Sequence, residues 1–482
     1  MHRFQKTAAL KNNAKRFKAT FIKEDTLLSI SDMPHPKSLP IIGTRLQLIA
    51  AGGGKKLHEY IDARHKQLGP IFTERLAGST ELVFVSDPLI MKSLFIYMEG
   101  KYPMHILPDP WVLYEKLYGS HRGLFFMDGE KWLHYRRILN KHLLREGTED
   151  WIRAPIVKSI QHFVNDLKEK LHNGYKIKDF EMEFYRLSTN VLVNVLLGEN
   201  SIPRSQHYDE MLNRFSDSVK KIFHATTTLY GWPVEWCQYF NLKVWKDFRE
   251  SVDLSLHLAK KMAFEMIRNK DRNNGLIKKL VQEGLEDEMI TRIVADFIIA
   301  AGDTTAYTTL WIFLLLCNNV GVIEEIRKKD DTYIKCVVKE AMRMYPVAPF
   351  LTRILPKETV FGNYRLQQGT PIIASIYTSG RDEQNFSKPE MFLPYRWDRN
   401  DPRRESIDNH ITSASLPFAM GARSCIGKKI AQVQLTELVR QVTNHFDIKC
   451  KNSKDVKSMT SQVLVLDRQL EFVISLRDRD GS

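Results

Sequence analysis

Apolar residues recur every three or four positions along most of this chain of 482 residues. Side chains at that spacing share one face of an α-helix, so the pattern predicts amphipathic helices. Seven helices are predicted, over residues 151–172, 180–197, 208–224, 242–269, 287–317, 333–344 and 428–446. No internal repeat or low-complexity segment interrupts the pattern. The chain is therefore expected to be mainly helical.

Two regions have the composition of short strands instead. The apolar, β-branched runs 70–73 and 81–87 lie on either side of Gly78, which predicts a hairpin. A second small strand region is predicted at 356–371. The predicted fold class is mainly α, with small β-sheets confined to the first hundred residues and the last third.

The N-terminal segment 1–32 differs from the rest of the chain. Seven Lys or Arg residues precede the first acidic residue, Glu24, and apolar residues are interspersed among them. This pattern is typical of a mitochondrial transit peptide, although a solvated basic tail would have the same composition. Three prolines between Met33 and Gly43 exclude a regular helix and indicate that the folded body begins near Pro34, giving a predicted domain 33–482.

Composition and charge narrow the classes of protein. The chain has 43% hydrophobic residues and lacks the signature of disorder, and its length leaves one large or two smaller domains open. Its net charge of +14 favours an acidic partner, which could be nucleic acid, anionic lipid or protein. Five cysteines in no regular spacing indicate neither a disulfide framework nor a zinc cluster, and favour a reducing compartment. The apolar run 310–317 is too short to span a membrane.

One cysteine stands in an unusual setting. An isolated cysteine is usually a small buried apolar residue. Cys425, however, lies between Gly421 and Gly427, and glycines permit tight backbone turns that direct amide N–H groups at a sulfur. The helix predicted to follow adds its positive N-terminal dipole, so the sequence favours a stabilised thiolate.

The spacing Phe418-x-x-Gly421-x-Arg423-x-Cys425-x-Gly427 resembles the haem-binding loop of cytochromes P-450. Three further segments match the family in the right order, so the resemblance covers the chain from Pro34 onwards. It implies a single large domain of the cytochrome P-450 fold that encloses haem b. Cys425 would be the axial ligand of the iron, and Phe418 and Arg423 would contact the cofactor.

The first further segment is Glu340-x-x-Arg343, which is paired with Arg396 downstream. Glu340 and Arg343 share one helix face, and a carboxylate can hold two guanidinium groups. Alone, such a pair reads as a surface ion pair of little value. With Arg396, the resemblance implies a buried triad that holds the proximal side of the fold around the haem.

The second segment is 300–305, in the middle of the apolar helix predicted at 287–317. The resemblance implies that Asp303 and Thr304 line the oxygen pocket, where Thr304 donates a hydrogen bond to the bound oxygen and Asp303 relays protons. Ala301 stands where the family usually has glycine, which bears on the width of this groove. The alternative is a threonine bonded back to its own helix.

The third segment carries Trp132 and Arg136, which lie four residues apart and so share a helix face. The resemblance implies that both reach a haem propionate and that Arg353 and Arg423 supply further propionate contacts. Each arginine by itself would be read as a solvated surface residue.

The sequence contains no recognisable flavin or nicotinamide site, so the resemblance implies a separate electron donor. In mitochondrial members this donor is an acidic ferredoxin, and Lys335, Lys339, Lys428 and Lys429 are predicted to dock it. The alternative is that these are four solvated lysines. Only about twenty residues separate the helix at 287–317 from Glu340, fewer than is common in the family, so part of the docking surface is expected to be trimmed.

The predicted reaction is the hydroxylation of a lipophilic, steroid-like substrate. The run 122–137 is similar to that of insect ecdysteroid 2-hydroxylases within the family, which implies conversion of 2-deoxyecdysone to ecdysone. The aromatic segment 229–240, with Trp232 and Trp236, is predicted to contact the inner mitochondrial membrane, or else to roof the substrate pocket. Another mitochondrial sterol or xenobiotic hydroxylase is the alternative within the family. Two other classes remain open: a haem-thiolate protein that rearranges peroxides or only binds haem, and a basic interaction protein without haem.

Overall fold

A computed structural model describes residues 27–76, 80–119, 123–198, 206–229, 233–268 and 274–477. Most of the predicted transit-like segment, residues 1–26, therefore lies outside the described residues. Strand β1 (Leu28–Ser29) pairs in parallel with a later strand, Tyr364–Leu366. Pairing with the folded body thus begins five residues before Met33.

Helices account for most of the described residues. In chain order, the α-helices are α1 (Arg45–Ala50), α2 (Leu57–Leu68), α3 (Pro88–Ser93), α4 (Asp109–Tyr118), α5 (Gly129–Leu143), α6 (Thr148–His172), α7 (Phe180–Leu197), α8 (Gln206–Leu229), α9 (Val234–Tyr239), α10 (Lys243–Arg268), α11 (Leu276–Gln282), α12 (Asp287–Asn318), α13 (Val320–Lys328), α14 (Asp331–Met344), α15 (Ile376–Ser379) and α16 (Lys428–His445). A single π-helical turn, Leu94–Met98, continues α3. The predicted fold class is confirmed.

All seven predicted helices are present, and their ends differ from the prediction by five residues or fewer. The largest difference is at the end of α8, which continues to Leu229. The hydroxyls of Thr226, Thr227 and Thr228 donate to carbonyl oxygens one turn earlier, at 2.8–3.0 Å. A run of β-branched threonines has low helix propensity, which hid this last turn from the sequence pattern.

The strands form four small sheets. After β1, the strands are β2 (Ile71–Glu74), β3 (Leu82–Val85), β4 (Phe350–Ile354), β5 (Thr359–Phe361), β6 (Tyr364–Leu366), β7 (Pro371–Ser375), β8 (Phe446–Cys450), β9 (Ser458–Ser461), β10 (Val463–Leu466) and β11 (Phe472–Leu476). The largest sheet has the order β2-β3-β7-β4. The predicted hairpin is confirmed by the antiparallel pairing of β2 with β3, although its turn, with Gly78, lies outside the described residues.

Helix α12 forms the centre of the molecule. It packs against α7, α10 and α14, and nearly every side chain from Met289 to Leu316 is buried. Within the described residues, α12 is the one helix that is long and apolar enough to cross a membrane by length and composition alone, but 83% of its most apolar window is buried in the fold. The apolar side chains of α12 are thus buried against neighbouring helices in the core.

Candidate active site

Helix α12 has one accessible stripe in its middle. Ala300 is exposed, and Ala301 and Thr304 are partly exposed, whereas the residues around them are buried. Positions 300, 301 and 304 share one helix face. Another molecule can therefore contact the middle of α12 at this face. Ala301 stands where the family usually has glycine, and its methyl group projects from this face.

The loop before α16 brings Cys425 to an accessible position. The Cys425 N–H donates to the Phe418 carbonyl at 2.9 Å, which closes the loop. Gly421 has a φ of 79°, and a Cβ added there would lie 2.1 Å from the carbonyl oxygen of Phe95, so only glycine fits. The glycine at position 421 is thus explained by the close approach of this loop to Phe95, just after α3.

The thiol of Cys425 is accessible, although protein surrounds it on most sides. Burial raises the pKa of the thiol. The backbone N–H of Gly427 and the positive charges of Arg136 and Lys428 act in the opposite direction and lower this pKa. The groups that favour a thiolate are therefore already in place around the sulfur.

Three arginines converge beside the cysteine loop. Arg136 Nη2 donates to the Ser424 carbonyl at 2.6 Å, and Arg423 lies over the Trp132 ring at 4.3 Å. Arg423 also donates to Asp128 and to the Pro103 carbonyl. The structure thus brings together the residues that were predicted at the haem edge on separate segments.

The third arginine, Arg353, is held by Glu99, a residue that was not predicted from the sequence. Arg353 Nε donates to Glu99 Oε2 at 2.6 Å, and Glu99 Oε1 accepts a hydrogen bond from the Ala422 N–H at 2.7 Å. The buried Glu99 carboxylate therefore links Arg353 to the cysteine loop. Glu99 lies 254 positions from Arg353 along the chain, and no local pattern marks it.

Glu340, Arg343 and Arg396 meet in the core, as predicted. Arg343 donates to both oxygens of Glu340 at 2.9 Å, and Arg396 Nε donates to Glu340 Oε1 at 2.9 Å. All three side chains are fully buried. Trp397 Nε1, which the prediction did not include, adds a further bond to Glu340 Oε2 at 2.8 Å. The carboxylate is saturated with donors, which lower its pKa against the effect of burial.

Asp303 and Thr304 occupy different sides of α12. The Thr304 hydroxyl faces the accessible stripe and donates to the Ala300 carbonyl at 2.7 Å, which is the back-bonded geometry considered as the alternative. Asp303 is buried, its Oδ2 has no hydrogen-bond partner, and burial raises the pKa of its carboxyl to about 7. The acid is thus held between its two protonation states near neutral pH.

A cluster of polar residues faces Asp303 from α7 and α8. A Cβ on Gly302 would lie 2.5 Å from the Tyr185 ring, so the phenol rests directly on the α12 backbone beside Asp303. At the outer end, the partly exposed Glu181 accepts hydrogen bonds from Tyr307 and Lys220 at 2.9 and 2.8 Å. The buried acid therefore has charged and phenolic neighbours that lead toward the surface.

The family profile that matches this sequence is that of cytochrome P450, over residues 33–474. The chain belongs to the cytochrome P450 family. Members bind haem through a cysteine thiolate, so the family implies this ligation here and makes the chain a monooxygenase.

Known relatives refine the type of P450. Cytochrome P450 315a1, mitochondrial, of Drosophila melanogaster is 36% identical over 484 residues, which cover 96% of this chain and 92% of that protein. The mitochondrial cholesterol side-chain cleavage enzyme of Hypanus americanus is 27% identical, with coverages of 84% and 82%. The mitochondrial 1,25-dihydroxyvitamin D(3) 24-hydroxylase of Mus musculus is 26% identical, with coverages of 93% and 90%. This P450 is therefore of the mitochondrial type.

The residues at the P450 site fit a haem. Among the described residues, Arg136 Nε and Arg353 Nη2 are buried and have no hydrogen-bond partner. Burial lowers the pKa of Arg136 to about 10, so it remains a cation at neutral pH. Buried guanidinium groups with unsatisfied N–H groups, beside an accessible thiol, suit a cofactor that carries carboxylates at its edge and a metal at its centre. Cys425 would hold the iron, and Arg136, Arg353 and Arg423 would hold the propionates.

Of the predicted docking lysines, Lys335, Lys339 and Lys428 are exposed, while Lys429 donates to the Arg145 carbonyl at 2.5 Å. Helix α14, which carries the first two, packs against α16, which begins at Lys428. The short connection before Glu340 consists mainly of α13, the two residues after it and the first nine residues of α14. Three of the four lysines are thus available to a partner of this P450.

Proposed function

We propose that this P450 hydroxylates an ecdysteroid, converting 2-deoxyecdysone to ecdysone, and receives its electrons from an acidic mitochondrial ferredoxin. The similarity of run 122–137 to insect ecdysteroid 2-hydroxylases carries the choice of substrate; Arg122 itself lies outside the described residues. The alignment with a mitochondrial P450 of an insect over 96% of this chain supports it. Relatives named for cholesterol and vitamin D support a steroid-like substrate in general.

The reaction consumes one O2, two electrons and two protons, and it yields the hydroxylated steroid and one water. The haem, when bound, supplies oxygen activation. The protein residues position the reactants and move protons: Thr304 offers a hydroxyl on the accessible face of α12, and Asp303 takes protons from its Glu181–Lys220 side. The buried apolar residues of α12 on either side of this face would keep bulk water from the reacting groups.

Product analysis tests the choice of substrate. Purified protein, supplied with a mitochondrial ferredoxin, its reductase and NADPH, would be incubated in parallel with 2-deoxyecdysone, cholesterol and a vitamin D sterol. We expect one oxygen atom to be added to 2-deoxyecdysone, at carbon 2, with little product from the others. Efficient turnover of cholesterol or vitamin D and none of the ecdysteroid would overturn the assignment.

Replacing Asp303 by asparagine is expected to lower turnover about a hundredfold, the usual effect of losing one proton-transfer group. The protonated carboxyl is the donor and its pKa is raised to about 7, so wild-type turnover should fall as pH rises above 7. Asparagine cannot titrate, so the variant should lose this dependence. The groups that set this pKa besides burial are Lys220 and Glu181. The measurement is the rate of product formation from pH 6 to 9.

Asp296→Asn provides the matched control, because Asp296 is a buried carboxylate on the same helix, about two turns earlier. This variant should keep the wild-type pH profile. An unchanged pH profile in Asp303→Asn would show that another group supplies the proton.

Reversing the charge of Lys335 or Lys339 is expected to raise the KM for ferredoxin about tenfold, since opposite charges steer the encounter. The effect should shrink at high salt, where charges are screened. Lys243→Glu, at an exposed position on α10, serves as the control and should leave this KM unchanged. Ferredoxin docking would be contradicted if a microsomal flavin reductase supported equal turnover and neither charge reversal, at Lys335 or at Lys339, altered that turnover.

We further propose that the end of α9 contacts the inner membrane. Trp236, Tyr239 and Phe240 are each at least 65% exposed, which favours an outward contact over packing above the substrate pocket. Trp232 lies outside the described residues. Aromatic side chains of this kind suit the boundary between lipid and water.

A further inference from the structure

We propose that His105 binds a haem propionate together with Arg353 and Arg423, as a cofactor-binding residue that the family motifs in this sequence do not include. The inference rests on the haem of the family and does not depend on which substrate is hydroxylated. It arises from the backbone pairing around His105, from its neighbours and from its unpaired ring nitrogen.

The backbone places His105 opposite Arg353. Met104 forms an antiparallel bridge with Ile354, whose N–H donates to the Met104 carbonyl at 3.0 Å. The Ile106 N–H donates to the Thr352 hydroxyl at 3.0 Å. Residues 104–106 therefore extend the sheet beside β4. Since opposed residues of an antiparallel pair project to the same face, the His105 side chain emerges beside that of Arg353.

The other neighbours of His105 belong to the same site. The Pro103 carbonyl accepts a hydrogen bond from Arg423 Nε at 2.8 Å, two residues before the histidine. The His105 ring packs against Phe125 at 4.6 Å between ring centres. Burial and the positive charges of Arg423 and Arg353 lower the pKa of His105 to about 3. The imidazole is thus neutral and lies among cations.

The nitrogens without hydrogen-bond partners indicate which kind of group could bind beside His105. His105 Nε2 is buried and has no hydrogen-bond partner, like Arg353 Nη2 and Arg136 Nε. The buried carboxylate of Glu99 is already bonded to Arg353 and to the Ala422 N–H. Groups with oxygen acceptors and negative charge would satisfy these nitrogens, and the two propionates of a haem have this chemistry, one of them beside His105 and Arg353.

The test compares the release of haem from purified holoprotein to excess apomyoglobin, followed by the Soret band without any substrate. We expect His105→Phe to release haem about tenfold faster than wild type, as the loss of one hydrogen bond to a charged group predicts. His410→Phe is the matched control. His410 also has a buried, unpaired ring nitrogen, but it packs against Trp397 and Phe386, beside the Glu340 triad. This control should release haem at the wild-type rate.

A second variant separates binding from folding. His105→Arg keeps a donor at this position and should retain haem nearly as well as wild type. Wild-type release from His105→Phe, or equal acceleration in His410→Phe, would refute the proposal. If His105→Phe purifies without haem, the proposal requires that His105→Arg retains it, and loss of haem from both variants would contradict it. None of these results depends on ecdysteroid hydroxylation.

Discussion

Cys425→Ala is expected to abolish monooxygenase activity and to remove the red-shifted Soret band of the reduced, carbon monoxide-bound protein. That band reports a thiolate ligand, and Cys425 is the accessible thiol in the loop that Phe418, Gly421 and Gly427 shape. Without the thiolate, the electron density that promotes cleavage of the O–O bond is lost. The measurement is the difference spectrum of the reduced protein with and without carbon monoxide, together with product formation.

Cys450→Ala is the control for this experiment. Cys450 lies in β8, is only partly exposed and should be replaceable with the band and the activity retained. A red-shifted band that persists in Cys425→Ala would show that a different residue holds the iron.

Glu340→Gln is expected to lower the free energy of unfolding by about 3–5 kcal/mol, the usual cost of removing one member of a buried ion pair. The change leaves two buried guanidinium groups, of Arg343 and Arg396, without a counter-charge. It also weakens the bonds from Trp397 and the Leu393 N–H. We expect a lower midpoint of urea unfolding and a smaller yield of haem-containing protein.

The matched control is Glu325→Gln, which changes a carboxylate of the same chemistry at a partly exposed site. Glu325 accepts two hydrogen bonds from Arg403 at 2.7–2.8 Å, but solvent can replace them. Its effect should stay within about 1 kcal/mol. Equal destabilisation by the two changes would show that burial of the triad contributes nothing to stability.

The helices were predictable because their periodicity is local. Each predicted helix carries its own apolar stripe, and the stripe is buried by whichever elements pack on it. The short strands were harder to predict, since β8 to β11 have four or five residues each and depend on partners for their hydrogen bonds. The region predicted at 356–371 contains β5 and β6. Strand β4 precedes it, β7 begins at its last residue, and both join the largest sheet.

The residues of the candidate active site likewise fall into those that a local motif predicts and those that it does not. The Cys425 loop is a short motif, so its residues themselves predicted a stabilised thiolate, whereas the Glu340–Arg343 pair alone predicted only a surface ion pair. Arg396 required the resemblance to a family, because it lies 56 residues beyond Glu340. The back-bonded Thr304 and the buried side of Asp303 became visible only once α12 was packed in the core.

The sequence by itself determined the fold class and, through its resemblance to the P450 family, the residues expected to hold a haem: Cys425, Arg136, Arg353 and Arg423. Tertiary structure alone decided the positions of Glu99, Tyr185 and His105. Glu99 reaches Arg353 across 254 residues, Tyr185 lies on Gly302 of another helix, and His105 faces Arg353 through a bridge between distant segments. The physical reason is that burial and charge pairing depend on distance in space, and periodicity along a chain contains no information about contacts between distant segments.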